Sequence, residues 1–395
     1  MRILIIVDDF LPHSTKIAAK MIHDMALTFN NLGHYTTILT PAPNQKESLL
    51  SKEIEGVKTL FFKSGKIKNV SKLKRAVNET LLSHLAWKAT KSYFKNNSFD
   101  GIVYYSPSIF FGSLVKKLKK LWHCNAYLIL RDVFPQWAVD NQLISKNSPI
   151  YLYFKYFERI NYQAADSIGV MSPSNLEFFR ENKRDASKFE VLYNWAELPH
   201  IPAKSNKFRK NLNLENKIVF FYGGNIGHAQ KMSYFIDLAK QIKYNPMIHF
   251  LFVGNGDEVN LVLTQKEKQN LTNLTYLPSV DQKTYYEMLN EFDIGLFSLH
   301  PDHKTHNFPG KLLGYMAYKK PILGCVNKGN DLKQIINDAK AGIVVDSGNE
   351  DALYEAAINL YSSVEMRKNM GQNGRILLKN QFSVESACAQ IISNL

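Results

Sequence analysis

The stretch IVFFYGGNIGHAQKM, residues 218–232, joins an apolar run to a glycine-rich turn that opens a helical pattern. A short apolar run that ends at turn residues is typical of a buried strand, so this stretch predicts a strand–turn–helix unit. The unit recurs to the end of the chain. Its predicted strands are Ile218–Tyr222, His249–Val253, Leu274–Tyr276, Ile294–Phe297, Ile322–Cys325 and Ile343–Val345.

The same alternation fills the first half of the chain. The strands predicted there are Ile3–Val7, Thr36–Leu39, Val57–Phe62, Ile102–Tyr105, Tyr127–Leu130, Ser167–Met171 and Phe189–Leu192. Helical stretches separate them, among them Thr15–Leu32, which Ser14 can cap, and one long stretch from about Val70 to Lys95. Residues 194–216 contain two prolines and little apolar periodicity. We therefore predict an α/β protein of two doubly wound parallel-sheet domains joined near residue 200.

The charge of the chain is unevenly distributed. Its 395 residues carry 49 Lys and Arg against 35 Asp and Glu, a net charge of +14. Between Ser51 and Lys120 there are fifteen basic and four acidic residues, concentrated at Lys66–Arg75 and at Lys116–Lys120, next to Trp122. Solvated helix faces would explain these clusters, and so would a membrane surface or an anionic substrate.

The cysteines, the first ten residues and the apolar runs of the chain indicate its compartment. Cys124, Cys325 and Cys388 lie far apart, which suits a reducing compartment and excludes a disulfide framework. The first ten residues, MRILIIVDDF, lack the features of a signal peptide. The longest uncharged apolar run, Gly101–Val115, is shorter than the roughly 20 residues of a spanning helix. We expect a cytoplasmic protein that touches the membrane without crossing it.

Two loops of the first half hold candidate polar residues. Residues 8–14 follow the first strand without a GxGxxG pattern, which disfavours a NAD or FAD enzyme and leaves an ordinary turn with His13 as a minor candidate. Asp132 follows the fifth strand in RDVFPQW, residues 131–137. It can accept a proton or bind a sugar hydroxyl beside the flat face of Trp137. A turn-capping Asp and a core Trp explain the pattern equally well.

The loops of the second half point to an anion. Three glycines between Gly223 and Lys231 let the backbone approach a ligand, and the following helix start favours negative charge. Gly254, in VGNGDE, occupies the same kind of turn. The acidic pair that follows it fits an ordinary first helical turn.

The segment HNFPGKLLGYM, residues 306–316, is the most informative. Pro309 suits a first helical turn, where the backbone amides of Gly310 and Lys311 would hold a diphosphate without metal. A lysine at the positive end of a helix is disfavoured unless an anion binds there. His300, His303 and His306 are spaced by three residues, which could gather their imidazoles on one helical face for a metal. Pro301 and the absence of carboxylate partners disfavour a metal site, and anion or hydroxyl contacts are the better use of these histidines.

Taken together, the ordered motifs resemble one family. They are RDVFPQWAVDNQLIS, ERINYQAADSIGVMSPSN, GGNIGHAQKM, FVGNGDE, THNFPGKLLGYMAYKKPILG and MGQNGR. The chain resembles the GT-B glycosyltransferases of glycosyltransferase family 4, and within them the WbuB-type subgroup of bacterial N-acetyl-L-fucosamine transferases. The resemblance runs nearly from end to end.

The resemblance implies a GT-B fold, with two Rossmann-like domains facing a central cleft. Residues 1–195 would bind the acceptor and residues 196–380 the nucleotide sugar, and a helix at about 380–395 would pack back on the first domain. It implies a retaining hexosyltransferase that uses a UDP-sugar and a lipid-linked polyprenyl-diphosphate saccharide in O-antigen or capsule biosynthesis. Neither cofactor nor metal would be required, and the enzyme would work on the inner face of the cytoplasmic membrane.

The resemblance also implies roles for individual residues. His306 and Gly314 stand where the family has the two ends of a Glu-x7-Glu motif, so the usual ribose contact at Gly314 is excluded. His228 and Lys231 stand near an Arg and a Lys of the family's diphosphate loop. The catalytic candidates are Asp132, which would face the acceptor, His306 and Lys311. The predicted nucleotide-sugar contacts are Gly223, Gly224, Asn225, Gly227, His228, Lys231, Gly254, Pro309, Gly310, Lys311 and Leu312, with no metal ligand.

Other functions compete with a transferase. A UDP-sugar 2-epimerase of the same architecture would need the paired carboxylates that this motif lacks. A non-catalytic sugar-nucleotide-binding protein would tolerate the replaced glutamates. A nucleic-acid binder is suggested by charge alone and leaves the glycine loops unexplained.

Overall fold

The computed structural model describes residues 1–14, 17–67, 70–140, 142–182, 185–301 and 309–395. It forms two compact units, Met1–Trp195 with Val384–Leu395, and Ala196–Ser383. Both units are parallel α/β layers, and the predicted fold class is confirmed.

The described residues of the first unit form one eight-stranded sheet in the order β3-β4-β2-β1-β5-β6-β7-β8. Its strands are β1 Arg2–Ile6, β2 Tyr35–Ala42, β3 Leu49–Ile54, β4 Val57–Lys63, β5 Gly101–Ser106, β6 Asn125–Leu130, β7 Ser167–Val170 and β8 Phe189–Val191. The helices of residues 1–195 are α1 Ile17–Asn31, α2 Lys72–Thr80, α3 Leu82–Asn96, α4 Gly112–Trp122, α5 Gln136–Asp140, α6 Pro149–Ala164 and α7 Pro173–Asn182.

The second unit has a six-stranded sheet in its described part, in the order β11-β10-β9-β12-β13-β14. Its strands are β9 Ile218–Gly223, β10 Ile248–Val253, β11 Leu274–Leu277, β12 Ile294–Ser298, β13 Ile322–Val326 and β14 Gly342–Asp346. Its helices are α8 Lys207–Asn211, α9 Ser233–Ile242, α10 Val259–Lys268, α11 Gln282–Glu291, α12 Gly310–Ala317, α13 Asp331–Asp338, α14 Glu350–Ser362 and α15 Val364–Leu377. The last helix of the chain, α16 Val384–Ile392, belongs to the first unit.

All strands except β3 pair in parallel, and most of them return to the sheet through a helix. They are buried because helices cover both faces of the sheet. β5 is buried along its whole length, as are β9 after its first residue and β10. The core of the first unit also includes α16, whose Cys388 and Ile391 pack with Met25 of α1.

Two details differ from the prediction. β3 pairs antiparallel with β4 and has no predicted counterpart, because Ser51, Lys52 and Glu53 are exposed on this edge strand and give no apolar run. The single helix predicted from Val70 to Lys95 is divided at Leu81 into α2 and α3. The break lets α3 bury Leu82, Ala86 and Phe94 while α2 lies on the outside. Within the described ranges, no helix has both the length and the apolar character needed to cross a membrane.

Candidate functional site

The sheet topology of the second unit marks one edge for ligand binding. From β9 the chain proceeds through β10 to β11 on one side, and it returns to the other side of β9 as β12. Ligands of doubly wound sheets bind beyond the carboxyl ends of the strands where the strand order reverses in this way. The loop after β9 leads into Gly223–Lys231, and the chain after β12 leads to α12 with Lys311. Both candidate segments therefore leave the sheet at its switch point.

The glycine loop after β9 packs closely against the turn after β10. A Cβ atom at Gly254 would lie 1.8 Å from the carbonyl oxygen of Gly224, a distance that no side chain tolerates. Gly224 itself has a φ of +129°, which favours glycine, and both Gly224 and Asn225 are exposed. The glycines thus bring two loops together and leave one of them open to solvent.

Several amides of this loop are already engaged. The amides of Gly224 and Ile226 donate to carbonyls of the β10 turn, at 3.0 and 2.9 Å. His228 N donates to Asp257 Oδ1 at 3.2 Å, and Met232 N to Glu258 Oε2 at 3.0 Å. The predicted acidic first helical turn is wrong, because α10 begins at Val259 and both carboxylates accept from amides of the loop after β9. Positive charge at this edge must come from side chains.

Lys311 supplies that charge from the first turn of α12. Its Nζ lies 3.7 Å from the centre of the Tyr222 ring, and a Cβ atom at Gly224 would be 3.5 Å from it. The nitrogen is buried and finds no hydrogen-bond partner among the described residues, although the residue as a whole is half-buried. Burial lowers the pKa of Lys311 to about 7. A cation over an aromatic face is stabilised, but its remaining donors need an anion or water.

The other two basic candidates face elsewhere. Lys231 has a left-handed backbone, φ 43°, and its Nζ lies 5.6 Å from the Tyr234 ring. His228 is exposed and lies against the ring of His300, with its Nδ1 3.7 Å from Glu258 Oε1. The described contacts therefore bring Lys311, rather than Lys231 or His228, onto Gly224.

Of the residues around α12 that are predicted to contact the nucleotide sugar, some lie at the start of the helix and one has its side chain in the core. Pro309 caps the helix, the exposed Gly310 begins it, and the side chain of Leu312 is buried in the core. Among the described residues, a Cβ atom at Gly314 would make ordinary van der Waals contacts, the nearest at 3.6 Å from the Leu289 side chain, so a methyl group would fit there. The hydroxyl of Tyr285 lies 3.9 Å from that Cβ position and is buried without a partner among the described residues. No sequence motif pointed to this tyrosine.

The first unit has a switch point of its own, between β1 and β5. A cavity of about 50 Å³ lies there, lined in part by Asp8, Asp9, Tyr105 and Pro107. Asp9 accepts a hydrogen bond from Ser14 at 2.6 Å, so this serine orients the loop. Sequence reasoning passed over the two aspartates, although their position directly after a first strand could have identified them.

Asp132 lies at the same edge, after β6. Its partial desolvation raises the pKa of its carboxyl. Burial raises the pKa of Tyr105, and the negative charges of Asp132 and Asp8 act in the same direction. The neighbouring Arg131 is buried and donates to the carbonyls of Leu192 and Tyr193 at 2.7 and 3.1 Å. His13 is exposed near Phe61. The predicted residues His303 and His306 lie outside the described residues, as does the side chain of Trp137.

A family comparison agrees with the geometry of the second unit. Residues 203–377 match the model of the family "Glycosyl transferases group 1". Residues 203–377 are therefore similar to a group 1 glycosyltransferase domain. It contains the loop after β9, the turn after β10 and α12, so the switch-point residues all lie inside the matched region.

Curated relatives are glycosyltransferases by name. The chain is 25% identical over 218 residues to the "Probable glycosyltransferase WbjE" of Pseudomonas aeruginosa, and this alignment covers 54% of each chain, about half the length of the relative. It is 25% identical over 303 residues to the "Putative colanic acid biosynthesis glycosyl transferase WcaI" of Escherichia coli (strain K12), covering 70% of this chain and 72% of that one.

Solved structures show the same fold over nearly the whole chain. HepE of Anabaena in complex with UDP superposes with a TM-score of 0.68 at 14% identity, covering 100% of this chain and 99% of HepE. WaaG, "a glycosyltransferase involved in lipopolysaccharide biosynthesis", gives a TM-score of 0.62 at 13% identity, covering 98% of both chains. The fold of the chain is therefore GT-B.

Proposed function

We propose that the protein transfers a sugar from a UDP-sugar to a lipid-linked saccharide, with retention of configuration and without a metal ion. The observation that carries the proposal is Lys311, whose buried ammonium lies beside Gly224 at the switch point and lacks a hydrogen-bond partner among the described residues. A diphosphate bound at this edge would accept hydrogen bonds from the Lys311 ammonium and neutralise its charge.

The chemistry follows from charge. When the bond between the sugar and the diphosphate breaks, negative charge develops on the departing UDP. Lys311 and the start of α12 would stabilise that charge in place of a divalent cation. The acceptor oxygen would form the new bond on the same face of the sugar, and its proton would pass to the leaving phosphate. Such a transfer needs no nucleophile from the protein.

The remaining candidates take supporting roles. Asp132, whose pKa is raised by partial desolvation, would bind a hydroxyl of the acceptor. His306 remains our prediction for the donor-sugar contact. The named relatives support the class of pathway, since one is a colanic acid transferase and HepE was crystallised with UDP. N-acetyl-L-fucosamine as the sugar, and O-antigen or capsule as the product, rest on the resemblance of the motifs.

A screen of UDP-sugars with a synthetic polyprenyl-diphosphate N-acetylglucosamine acceptor, read by mass spectrometry, tests the proposal. Incubation without acceptor identifies the competing functions: an epimerase would convert the UDP-sugar alone, and a binding protein would hold UDP without turnover. Transfer should survive EDTA, and a strict metal requirement would contradict the mechanism.

We predict that Lys311→Ala lowers transfer by about 10²-fold or more, the usual effect of removing a preorganised charge from a transition state. Lys320→Ala is a poor control because its Nζ donates to two carbonyls that the substitution would orphan. Lys268→Ala is the matched control, because that lysine is exposed in the last turn of α10, at the end of the helix away from the carboxyl ends of the strands. Near-normal turnover of Lys311→Ala would exclude the assigned role.

A further inference from the structure

Helix α2 exposes a row of apolar side chains. Leu73, Val77 and Leu81 recur every four residues, from the first turn of the helix to the residue that ends it, and all three are exposed. Leu73 is 78% exposed, although a leucine on an amphipathic helix normally faces the core. In this region it is α3, and not α2, that buries apolar side chains in the core. The apolar row of α2 is therefore free to contact something outside the unit.

Helix α6 extends this surface. Its exposed apolar side chains are Ile150, Leu152, Tyr153 and Tyr156, of which Leu152 is 63% and Tyr156 61% exposed. The hydroxyl of Tyr153 contacts the Thr80 hydroxyl at the end of α2, so the two helices form one continuous face. We call the seven exposed side chains of these helices the α2–α6 face. Contiguous exposed apolar patches of this kind mark interaction sites.

The charges around the α2–α6 face are positive. Lys74, Arg75 and Arg159 are exposed on the same two helices. The helices contain two carboxylates, and both are withdrawn from the surface: Glu79 pairs with Arg75 at 2.8 Å, and Glu158 is buried against Lys155. An apolar stripe flanked by cations is the pattern of helices that lie in the interface of an anionic bilayer. Tyrosines with an apolar ring and a polar tip suit the headgroup level.

The second basic cluster of the sequence makes several contacts within the chain. Lys119 pairs with Asp166 at 2.6 Å, and Lys116 donates to Gln163 Oε1 at 3.0 Å. Lys117 lies over the Trp87 ring, and Trp122 is packed against Phe94. Lys116, Lys117 and Lys120 are nevertheless exposed, so charge alone does not distinguish the two clusters. The cluster beside α2 differs in that it flanks exposed apolar side chains, whereas α4 has no large apolar side chain among the exposed ones.

We infer that the α2–α6 face is the surface through which this protein binds a bilayer containing anionic phospholipid. The inference rests on the proposed function only in that a lipid-linked acceptor would give such a contact its purpose. The occupant is the lipid surface itself, because an anionic bilayer would satisfy both the exposed apolar side chains and the exposed cations Lys74 and Arg159. A protein partner or a second copy of the chain would instead be revealed by the test.

Flotation with vesicles tests the inference on the full chain. The vesicles are phosphatidylcholine alone, or phosphatidylcholine mixed with phosphatidylglycerol. We expect wild type to bind the mixed vesicles, and the paired substitutions L73S/V77S and L152S/Y156S each to weaken binding about tenfold or more, because apolar area is lost from the interface. Lys74→Gln with Arg159→Gln should weaken binding and flatten its salt dependence. Leu32→Ser and Tyr244→Ser remove equally exposed apolar side chains elsewhere and should change nothing.

The outcomes separate this inference from the proposed function. UDP affinity, measured by calorimetry, should be the same in all these variants, because α2 and α6 belong to the first unit. Absence of UDP binding with normal flotation would remove the proposed function and leave the bilayer surface standing. Binding that ignores anionic lipid, or paired variants that bind like wild type, would overturn the inference. So would concentration-dependent self-association that the paired substitutions abolish, since a second copy would then cover the face.

Discussion

The second unit contains two lysines with a buried ammonium, and they differ in whether the fold supplies hydrogen-bond acceptors for it. Burial lowers the pKa of both Lys311 and Lys320 to about 7. Lys320 donates to the carbonyls of Asn290 and Phe292, so its donors are used within the fold. Lys311 has only the Tyr222 ring among the described residues. A desolvated cation that the fold does not satisfy is a cost to stability, and binding of an anion is what would offset it.

Lys311→Met should therefore raise the free energy of unfolding and lower the affinity for UDP. Methionine keeps the length of the side chain and removes the buried charge, so at pH 6 we expect unfolding to require about 1–4 kcal/mol more free energy. UDP affinity should fall at least about tenfold. Denaturant unfolding followed by circular dichroism and calorimetric titration with UDP measure the two effects. A variant that loses stability and keeps its UDP affinity would show that Lys311 is structural.

The lowered pKa also predicts how stability depends on pH. The pKa of Lys311 is about 7 in the folded protein and 10.5 in the unfolded chain, so between these values the unfolded state binds more protons. The cost of burying the charged lysine is full below pH 7, and stability rises with pH through the window up to about 10.5. Lys320 contributes in the same sense. The difference between wild type and Lys311→Met isolates Lys311, and a pH-independent difference would contradict its titration.

UDP binding should have the opposite dependence, because a diphosphate favours the charged lysine and raises its pKa. Above pH 7 the complex must take up a proton, so UDP affinity falls as the pH increases. Calorimetry in two buffers of different ionisation enthalpy measures this uptake. Lys311→Met should show none of it.

At the scale of elements, the site depends on two turns that interlock. Gly254→Ala would place a methyl group 1.8 Å from the Gly224 carbonyl, and the backbone must move to relieve the overlap. We expect a loss of about 1–3 kcal/mol of stability and a clear loss of UDP affinity. Gly310→Ala is the matched control for stability, because its Cβ would meet no atom of the described residues within 4 Å. Equal stability of the two variants would mean that the close approach of the turns is unimportant.

The sequence allowed the elements to be predicted wherever apolar runs are buried. The thirteen strands expected from such runs all appear, because every one of them lies inside a helix-covered parallel sheet. β3 was missed because an exposed edge strand needs no apolar run, and the division at Leu81 was missed because α2 has an apolar periodicity that does not face the core. At the candidate site, the sequence indicated Lys311 and the glycines. It could not reveal the burial of Lys311 Nζ, because the contact with Tyr222 joins residues far apart in the chain.

For the molecule as a whole, the first unit is completed by the end of the chain. Helix α16 packs on the sheet that residues 1–195 form, although it follows the whole second unit in the sequence. All four tryptophans, Trp87, Trp122, Trp137 and Trp195, lie in the first unit. Tryptophan fluorescence therefore reports the unfolding of this unit alone, whereas UDP binding would report the second.

Because fluorescence and UDP binding report different units, Ile391→Ala can test whether α16 stabilises the first unit alone. Ile391 is fully buried in the cluster that α16 shares with α1, and truncation of such a side chain costs about 2–5 kcal/mol because a cavity remains. We expect the fluorescence-detected transition to move to lower denaturant while UDP affinity stays unchanged. Val364→Ala, at an exposed position that begins α15, is the matched control and should leave the transition in place. If Ile391→Ala left the tryptophan transition unmoved, α16 would add no stability to the first unit. If it abolished UDP binding, the second unit would depend on the last helix as well, and the two units would not be energetically separate.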